Sequence, residues 1–344
     1  MPTDRPTIGD VARLAGVSKG TVSSAYSGRR PVSQDTRARI FQAAETLRWH
    51  PSSPARALAT ARTETIGLVL ARNPQVIEAD TFFARFIAGC ETVLAPRHFG
   101  LALHVVDNEA AEDCAYQRLA AGRADGVILL DLSAHDRRLK LVHELGLPAV
   151  ALGSGSHYEG KLHGASYVYC DDSEPMKQLV RLLARRGHTR IAHVSGPSRY
   201  VHTRARRAAF TAEMEAQGLE PGILREGDFT SVSGREITAE LLAQDQPPTA
   251  ICYSNDLMAI AGMSYAQHIG MLLPRDLSVT GFDDSDLAAQ LSPPLTSVST
   301  GAHERGRVVA EVLLDMLAGR APISRGVGTT RVVERDSISA PRRP

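Results

Sequence analysis

The residues best suited to chemistry in this 344-residue chain are polar groups placed directly after apolar, β-branched runs. Asp131 follows GVILL, Gly153 follows PAVAL and Ser195–Gly196 follow RIAHV; Asn255–Asp256 follow TAICYS and Asp283–Asp284 follow LSVTGF. In open parallel sheets ligands bind beyond the carboxyl ends of the strands, so these positions mark a cleft. Carboxylates and an amide suit a polar, hydroxyl-rich small molecule, because each misplaced hydroxyl leaves a buried group unpaired. Phe82, Phe83 and Phe229 are available to stack on the apolar face of a sugar or base. An acidic residue after a strand also caps the next helix, and Asp256, ahead of LMAIAGMSYA, is expected in that role.

No catalytic constellation accompanies these groups. There is no Walker loop, no GxGxxG and no GxSxG elbow, and GSGSH at 153–157 is a Gly/Ser loop. His188 and His193 flank one strand-like run, where opposite-facing side chains do not chelate one metal. Asp283–Asp284 lacks the phosphate cradle and lysine of a phosphoryl-transfer site. Cys90, Cys114, Cys170 and Cys252 are far apart, form no CxxC pair and are expected as free thiols. The reading is a binding protein rather than an enzyme, with no cofactor and no metal.

The elements that position these groups begin at Thr65. Strand-like runs TIGLVL, LALHVV, GVILLD and PAVALG, then SYVYC, RIAHVS, TAICYS and LSVTGF, alternate with helical segments. Such runs imply parallel strands covered on both faces, here as two similar α/β subdomains of about four strands each. PPLTSVST is expected to carry the chain from the second half back to the first, ahead of a helix over about Glu304–Leu317 and a late strand in TTRVVERD. No apolar run is long enough to span a membrane, and MPTDRPTIGD lacks the apolar core of a secretory signal. A cytoplasmic location is expected.

The first 62 residues differ from the rest. They hold ten basic side chains against Asp4, Asp10, Asp35 and Glu45, a net +6, although the whole chain carries only +1. A basic head on an acidic body points to a polyanion partner at one end. Within the head, TIGDVARLAGVSKGTVSSAYS reads as two short helices. Thr7 and Asp10 make a loose capping box; Ile8, Val11 and Leu14 form the apolar stripe; Gly16 ends the first helix and Ser18 caps the second. This helix-turn-helix spacing fits a DNA major groove. A third helix follows Ser33, with Ile40, Ala43, Ala44 and Leu47 at helical spacing. Pro51 stops it. Ser53–Pro54 then starts a segment of one or two turns with Leu58 as its large apolar residue; so short a helix forms only when packed against something.

Piece by piece and in order, the chain resembles the LacI/GalR family of transcription regulators from Thr7 to about Ser337. The resemblance rests on TIGDVARLAGVSKGTVSSAYSG, VSQDTRARIFQAAETLRWHPS, PARALATARTETIGLV, SNDLMAIAG and GFDDSDLAAQLSPPLTSV. It implies an α/β fold with an N-terminal three-helix helix-turn-helix domain over 1–50 and a hinge helix and linker over 51–63. An effector-binding and dimerisation body over 64–344 follows, built from two periplasmic-binding-protein-like subdomains of parallel sheet. One subdomain covers about 64–165 and 297–325, the other about 166–296 and 326–344.

By resemblance, the base-reading positions are Lys19, Gly20 and Ser24. Phosphate contacts fall on Thr7, Thr21, Ser23, Ser33 and Thr36, and Ser18 and Ala55 join the DNA-facing set. Leu58 matches a leucine that wedges into the minor groove and kinks the duplex, unstacking one base step for roughly a few kcal/mol. Effector positions match Phe82, Phe83, Arg206, Phe229, Asn255 and Asp283. Ser24 stands where relatives usually carry Arg, which removes a bidentate guanine contact worth about 1–3 kcal/mol of discrimination. Gly153 stands where sugar-responsive relatives often have Asp. The implied function is a sequence-specific repressor, homodimeric on a near-palindromic double-stranded operator and controlled by a small polar effector: a sugar, sugar phosphate or nucleobase-like molecule, most simply carbohydrate-like. The alternative is a solute-binding protein without a DNA function, which the basic head argues against. If Leu58 is the wedge, Leu58→Gly reduces operator bending and specific affinity while leaving ligand binding by the body intact; unchanged operator binding in a mobility-shift assay would refute that role.

Overall fold

The structure, a computed structural model, describes residues 6–27, 30–49, 62–155, 158–328 and 330–342. In the head, α1 (Ile8–Ala15) opens on Thr7, whose backbone N–H and hydroxyl both donate to the Asp10 carboxylate, at 2.9 and 2.7 Å. The spacing had called for this pair. Gly16 turns the chain with a left-handed φ of 65°, a conformation in which a Cβ is strained. Ser18 Oγ accepts from the Thr21 N–H at 3.0 Å and starts α2 (Lys19–Ser27). Ser33 likewise accepts from the Thr36 N–H at 3.3 Å and starts α3 (Gln34–Thr46).

The three helices share a small core of Val11, Ala12, Ala15, Val22, Ala25, Ile40, Ala43 and Ala44. One expectation is corrected: Leu14 is 55% exposed rather than part of the stripe. Val11, Ala12 and Ala15 centre the buried face, and Leu14 lies roughly 100° of helix rotation from that centre. Trp49, the single tryptophan of the chain, closes the head with its ring edge-on to Tyr26 at 5.5 Å.

In the body, the first sheet holds β1 (Thr65–Ala71), β2 (Gly100–Val106), β3 (Gly126–Leu129), β4 (Ala149–Ser154), β5 (Ser166–Cys170) and β11 (Ser324–Gly326). All are parallel, in the order β11-β5-β4-β3-β1-β2. Period-two alternation sends Ile66, Leu68 and Leu70 to one face and Val69 to the other. Following Pro74–Ala79 (α4), the long helix α5 (Thr81–Leu94) covers the first face together with α12 (Ala302–Leu317). On the other face lie α6 (Glu109–Ala120) and α7 (Arg137–Glu144). The second sheet is β7 (Ile223–Glu226), β6 (Ile191–Ser195), β8 (Ala250–Tyr253) and β9 (Ser278–Thr280), again parallel. Its helices are α8 (Ser173–Arg185), α9 (Val201–Ala216), α10 (Ser231–Leu242) and α11 (Asp256–His268).

Two segments pair differently from the sequence expectation. SYVYC, assigned above to the second subdomain, is β5 and pairs with β4 in the first sheet, so the chain crosses after Cys170 rather than before Ser166. Ser297–Ser299 (β10), assigned to the first subdomain, pairs antiparallel with β12 (Arg331–Val333), and Val298 packs in the second lobe's core. The return crossing therefore comes after Ser299. A strand's own pattern is the same whichever neighbour it has, which is why these boundaries moved. The lobes are joined by three crossings, near Asp172, near Gly301 and near Thr330.

Helices α5 and α12 meet backbone to backbone. A Cβ at Gly306 would collide with the Phe86 carbonyl, and one at Gly89 with the His303 carbonyl. The Cys90 thiol sits 3.4 Å from the Gly306 carbonyl oxygen. Gly306→Val therefore forces the helices apart and is expected to destabilise the body by about 1–3 kcal/mol, the usual range for overpacking. Urea unfolding followed by circular dichroism measures this, and a change below about 0.5 kcal/mol, within the ordinary range of surface substitutions, would show that the crossing tolerates a side chain.

Candidate functional site

Strand ends of the first lobe and loops of the second line a narrow cleft, with about 70 Å³ of room for water-sized molecules. Phe82, Phe83, Arg206, Phe229, Asn255 and Asp283, the six positions carried over from the family resemblance, all line it. Just beyond β1, Arg72 sends Nε and Nη2 to the two carboxylate oxygens of Asp131, beyond β3, both at 2.6 Å. The same guanidinium lies 4.6 Å from the Phe229 ring centre, 4.8 Å from Tyr200 and 5.5 Å from Phe83. Asp80 caps α5 by accepting from the Phe82 N–H at 3.0 Å. Opposite it, Asn255 caps α11: its Oδ1 accepts from the Met258 N–H at 3.0 Å, while Nδ2 donates to the Phe229 carbonyl at 3.0 Å and to Asp80 at 3.4 Å.

Deeper in the cleft, Asp172 accepts from Arg206 at 2.8 Å and from Arg305 at 2.9 Å. Arg305 Nη2 also lies 3.1 Å from the Thr330 hydroxyl, so one guanidinium touches groups at two of the crossings while belonging to a helix that starts at the third. Arg206 donates to the Ser254 carbonyl at 3.0 Å and stacks over Phe282 at 3.6 Å. Arg206 Nε, Arg305 Nε and Ser254 Oγ are buried beside the cleft without a hydrogen-bond partner among the described residues.

The carboxyls divide into two kinds. Burial opposes the charge of Asp172, but Arg206 and Arg305 together hold it far below the usual range, and Arg72 holds Asp131 down in the same way. Asp283 goes the other way: burial, with Asp80 close by, pushes its carboxyl well up. Its carboxyl has no hydrogen-bond partner among the described residues, and its backbone φ of 108° is one that non-glycine residues rarely adopt. Burial also raises Asp80, and it pushes His202 down to about 3, leaving a neutral ring stacked on Tyr200 at 5.5 Å.

Several cleft residues were not singled out from the sequence: Arg72, Asp80, Asp172, His202 and Arg305. Arg72 directly follows β1 and Asp172 lies two residues beyond β5, so the strand-end rule applied to every strand would have found them. Asp256 is corrected. The cap of α11 is Asn255, and Asp256 instead turns inward, accepting from the Ser285 N–H and the Ser297 hydroxyl, both at 2.6 Å. Gly153 lines the cleft through its backbone only, since a Cβ there would strike the Tyr167 ring on the far face of the sheet. Asp284 is committed to Arg335 at 2.6 Å. A larger hollow of about 500 Å³ opens near Arg137 and Arg138, but these cations are already held by Asp136, Glu112 and Asp113.

On the head, Lys19, Gly20 and Ser23 are exposed on α2, while Thr21 and Ser24 are half-buried. The hydroxyls of Thr7, Ser18, Ser33 and Thr36 are engaged in helix caps at the surface. The Lys19 side chain runs back over α1, so that a Cβ on Gly9 would lie 3.1 Å from its Cε. Ala55, Leu58 and the expected hinge helix lie outside the described residues.

Comparison with known proteins adds an independent line. Residues 7–52 match the model of bacterial regulatory proteins, lacI family, and residues 180–338 match that of the periplasmic binding protein-like domain. The chain is 33% identical over 342 residues to the HTH-type transcriptional regulator CelR of Thermobifida fusca, covering 97% of this chain and 98% of the relative. It is 31% identical over 343 residues to the HTH-type transcriptional repressor PurR of Aliivibrio fischeri, again over 97% and 98% of the two chains. Among solved structures, one described as a transcriptional regulator CelR–cellobiose complex superposes with a TM-score of 0.74 at 31% identity, over 97% of this chain and all of that one.

The inward turn of Asp256 has a titration consequence. Burial pushes its carboxyl up to about 6, against the hydrogen bonds from Ser297 and Ser285 that favour the carboxylate. A raised carboxyl contributes stability that is complete below the unfolded value near 4 and is lost as pH rises through 6, roughly 3 kcal/mol over that window. Asp256→Asn does not titrate, so the difference in stability between it and the wild type should narrow from pH 4 to pH 6. Urea midpoints at several pH values measure it; parallel profiles would show that Asp256 ionises normally.

Proposed function

The chain belongs to the LacI family of bacterial regulatory proteins, and from that premise we propose a homodimeric repressor whose hold on a near-palindromic operator is set by a neutral, hydroxyl-rich, carbohydrate-like ligand between its lobes. As a helix-turn-helix transcription regulator it carries its DNA-binding surface on the head, and α2 is the element for the major groove. The observation that carries the ligand reading is the charge pairing of the cleft. Arg72 is taken by Asp131, and Arg206 and Arg305 share Asp172, so among the described residues each guanidinium of the cleft already has a carboxylate partner. The carboxyl left without a partner among the described residues is that of Asp283, which suits a hydroxyl, and Phe82 and Phe229 supply apolar walls for a sugar face. The CelR relative solved as a complex with cellobiose supports the same class.

A ligand bridging the lobes stabilises one relative angle over another and so shifts a two-state equilibrium that the head also senses. A second copy is expected along the exposed apolar residues of edge strand β2, Leu103 and Val105, and along Val232, Ile269 and Leu287 of the second lobe. Two heads then meet two half-sites, as a palindrome requires. The protein is read as non-catalytic and cytoplasmic.

The test uses a duplex selected from random DNA by the full-length protein. Fluorescence anisotropy should show affinity falling steeply, about 10³-fold or more between 50 and 200 mM salt. Cellobiose and related neutral oligosaccharides should raise the thermal midpoint and shift duplex affinity, and Asp283→Ala should lose both ligand effects while binding the duplex as before. A weak, flat salt response would favour the solute-binding alternative; a thermal shift with sugar phosphates but not with neutral sugars would overturn the ligand class.

A further inference from the structure

We propose that helices α5 and α12 form the rod through which the cleft acts on the head, and that Arg62 is the clasp at its far end. This rests on the reading of the chain as a ligand-controlled regulator and says how that control would travel.

Both helices begin at the cleft. Asp80 caps α5, and Arg305 lies in the first turn of α12. The 16 residues of α12 span about 24 Å from there. The glycine contacts at Gly89 and Gly306 press the two backbones together, so neither helix slides without the other. The cleft end of this pair holds the second lobe at three places. Arg305 bonds Asp172, and Asp80 accepts from Asn255. From α5, Arg85 donates to the Asp284 carbonyl at 2.8 Å and the Asp283 carbonyl at 3.4 Å, and its other nitrogen meets Asp286 at 2.7 Å. Arg85 therefore grips the loop that carries Asp283, the carboxyl assigned above to the ligand. A ligand that moves this loop moves the rod.

At the opposite end, Leu317 is the last residue of α12, and its carbonyl is one of those a helix leaves without an internal partner. Arg62 Nη2 donates to it at 2.8 Å, placing a cation at the negative end of the helix dipole. Arg62 also lies three residues ahead of β1, where the chain enters the body. The next two residues are anchored elsewhere. Asp125, at the foot of β3, accepts from the Thr63 N–H at 2.6 Å, the Thr63 hydroxyl at 2.9 Å and the Glu64 N–H at 2.9 Å. One peptide bond thus separates an anchor on the helix from an anchor on the sheet. Any shear of α12 against the sheet must be taken up there, at the point from which the connection to the head departs. Small slides of packed helices are an established form of such transmission, and the two ends influence each other reciprocally.

The test compares wild type, Arg305→Met and Arg62→Ala as full-length proteins by amide hydrogen exchange. Arg305→Met releases α12 from Asp172 and leaves the Arg206–Asp172 pair intact. It should speed exchange at least threefold at the far end, over Ala318–Arg320 and Thr63–Glu64. Arg62→Ala should do the same at Ala302–Arg305. If each variant disturbs only its own end, the rod is refuted. Should Arg305→Met fold poorly, Arg85→Met perturbs the same end and the far-end readout is unchanged. A second arm measures affinity for the selected duplex. Arg305→Met should alter it at least threefold when Arg62 is present and less than 1.5-fold in the Arg62→Ala background; independent effects would overturn the role of Arg62. Failure to select any duplex would sink the regulator reading, while the exchange arm still decides the rod.

Discussion

The body depends on one buried carboxylate. Asp172 stands where the chain first crosses between lobes and is held by Arg206 from the second lobe and by Arg305 from the helix that begins at the return crossing. Two guanidiniums on one carboxylate leave a net positive charge, and Thr330 at the third crossing offers Arg305 a further oxygen. Removing Asp172 would strand two buried cations, the costly way to break a buried ion pair. The interaction therefore acts less as a source of stability than as a requirement that the three crossings stay together.

From that constraint follows the character of the cleft. Because Asp131 and Asp172 pair with its three arginines, the guanidiniums that face the space are held in fixed positions, each already on a carboxylate. Asn255 shows the economy of the arrangement: one amide caps α11, supports the Phe229 carbonyl and reaches Asp80 across the lobes. A residue tied to both lobes in this way senses their separation. The positions proposed to meet a ligand thus include ones that bond across the lobes.

The parallel sheets set the path along which the proposed signal would run from cleft to head. In a parallel αβ lobe every strand ends, and every following helix begins, on the same side. The cleft lies on that side, and the connection to the head joins at the other. Helices α5 and α12 necessarily run from one to the other, and the close contact at Gly89 and Gly306 makes them a single body. At that end the chain carries two anchors on neighbouring residues, Arg62 on a helix and Thr63 on a sheet.

Much of this was legible in the sequence, for local reasons. Caps at Thr7, Ser18 and Ser33, the turn at Gly16 and the β-rich runs depend on backbone geometry within a few residues, and the structure reproduces them. Asn255 and Asp283 were marked by position after a strand, Phe82, Phe83 and Phe229 as aromatics able to stack on a ligand, and the family resemblance added Arg206. Errors arose where the answer lay outside a short window. Leu14 has the right spacing for the core, but its neighbours set which face turns inward. Asp256 lost the cap to Asn255 by a single residue, because only the position of the strand end decides which side chain meets the helix N-terminus. β5 and β10 carry patterns that fit either lobe. Arg305 sits inside an ordinary helical stretch, and its partner Asp172 is 133 residues away. The sequence by itself determined the elements, their order and the chemistry at the strand ends, since periodicity and capping are local. Only the tertiary structure decided which sheet each strand joined and which arginine met which carboxylate, because those pairings depend on where a crossing chain returns.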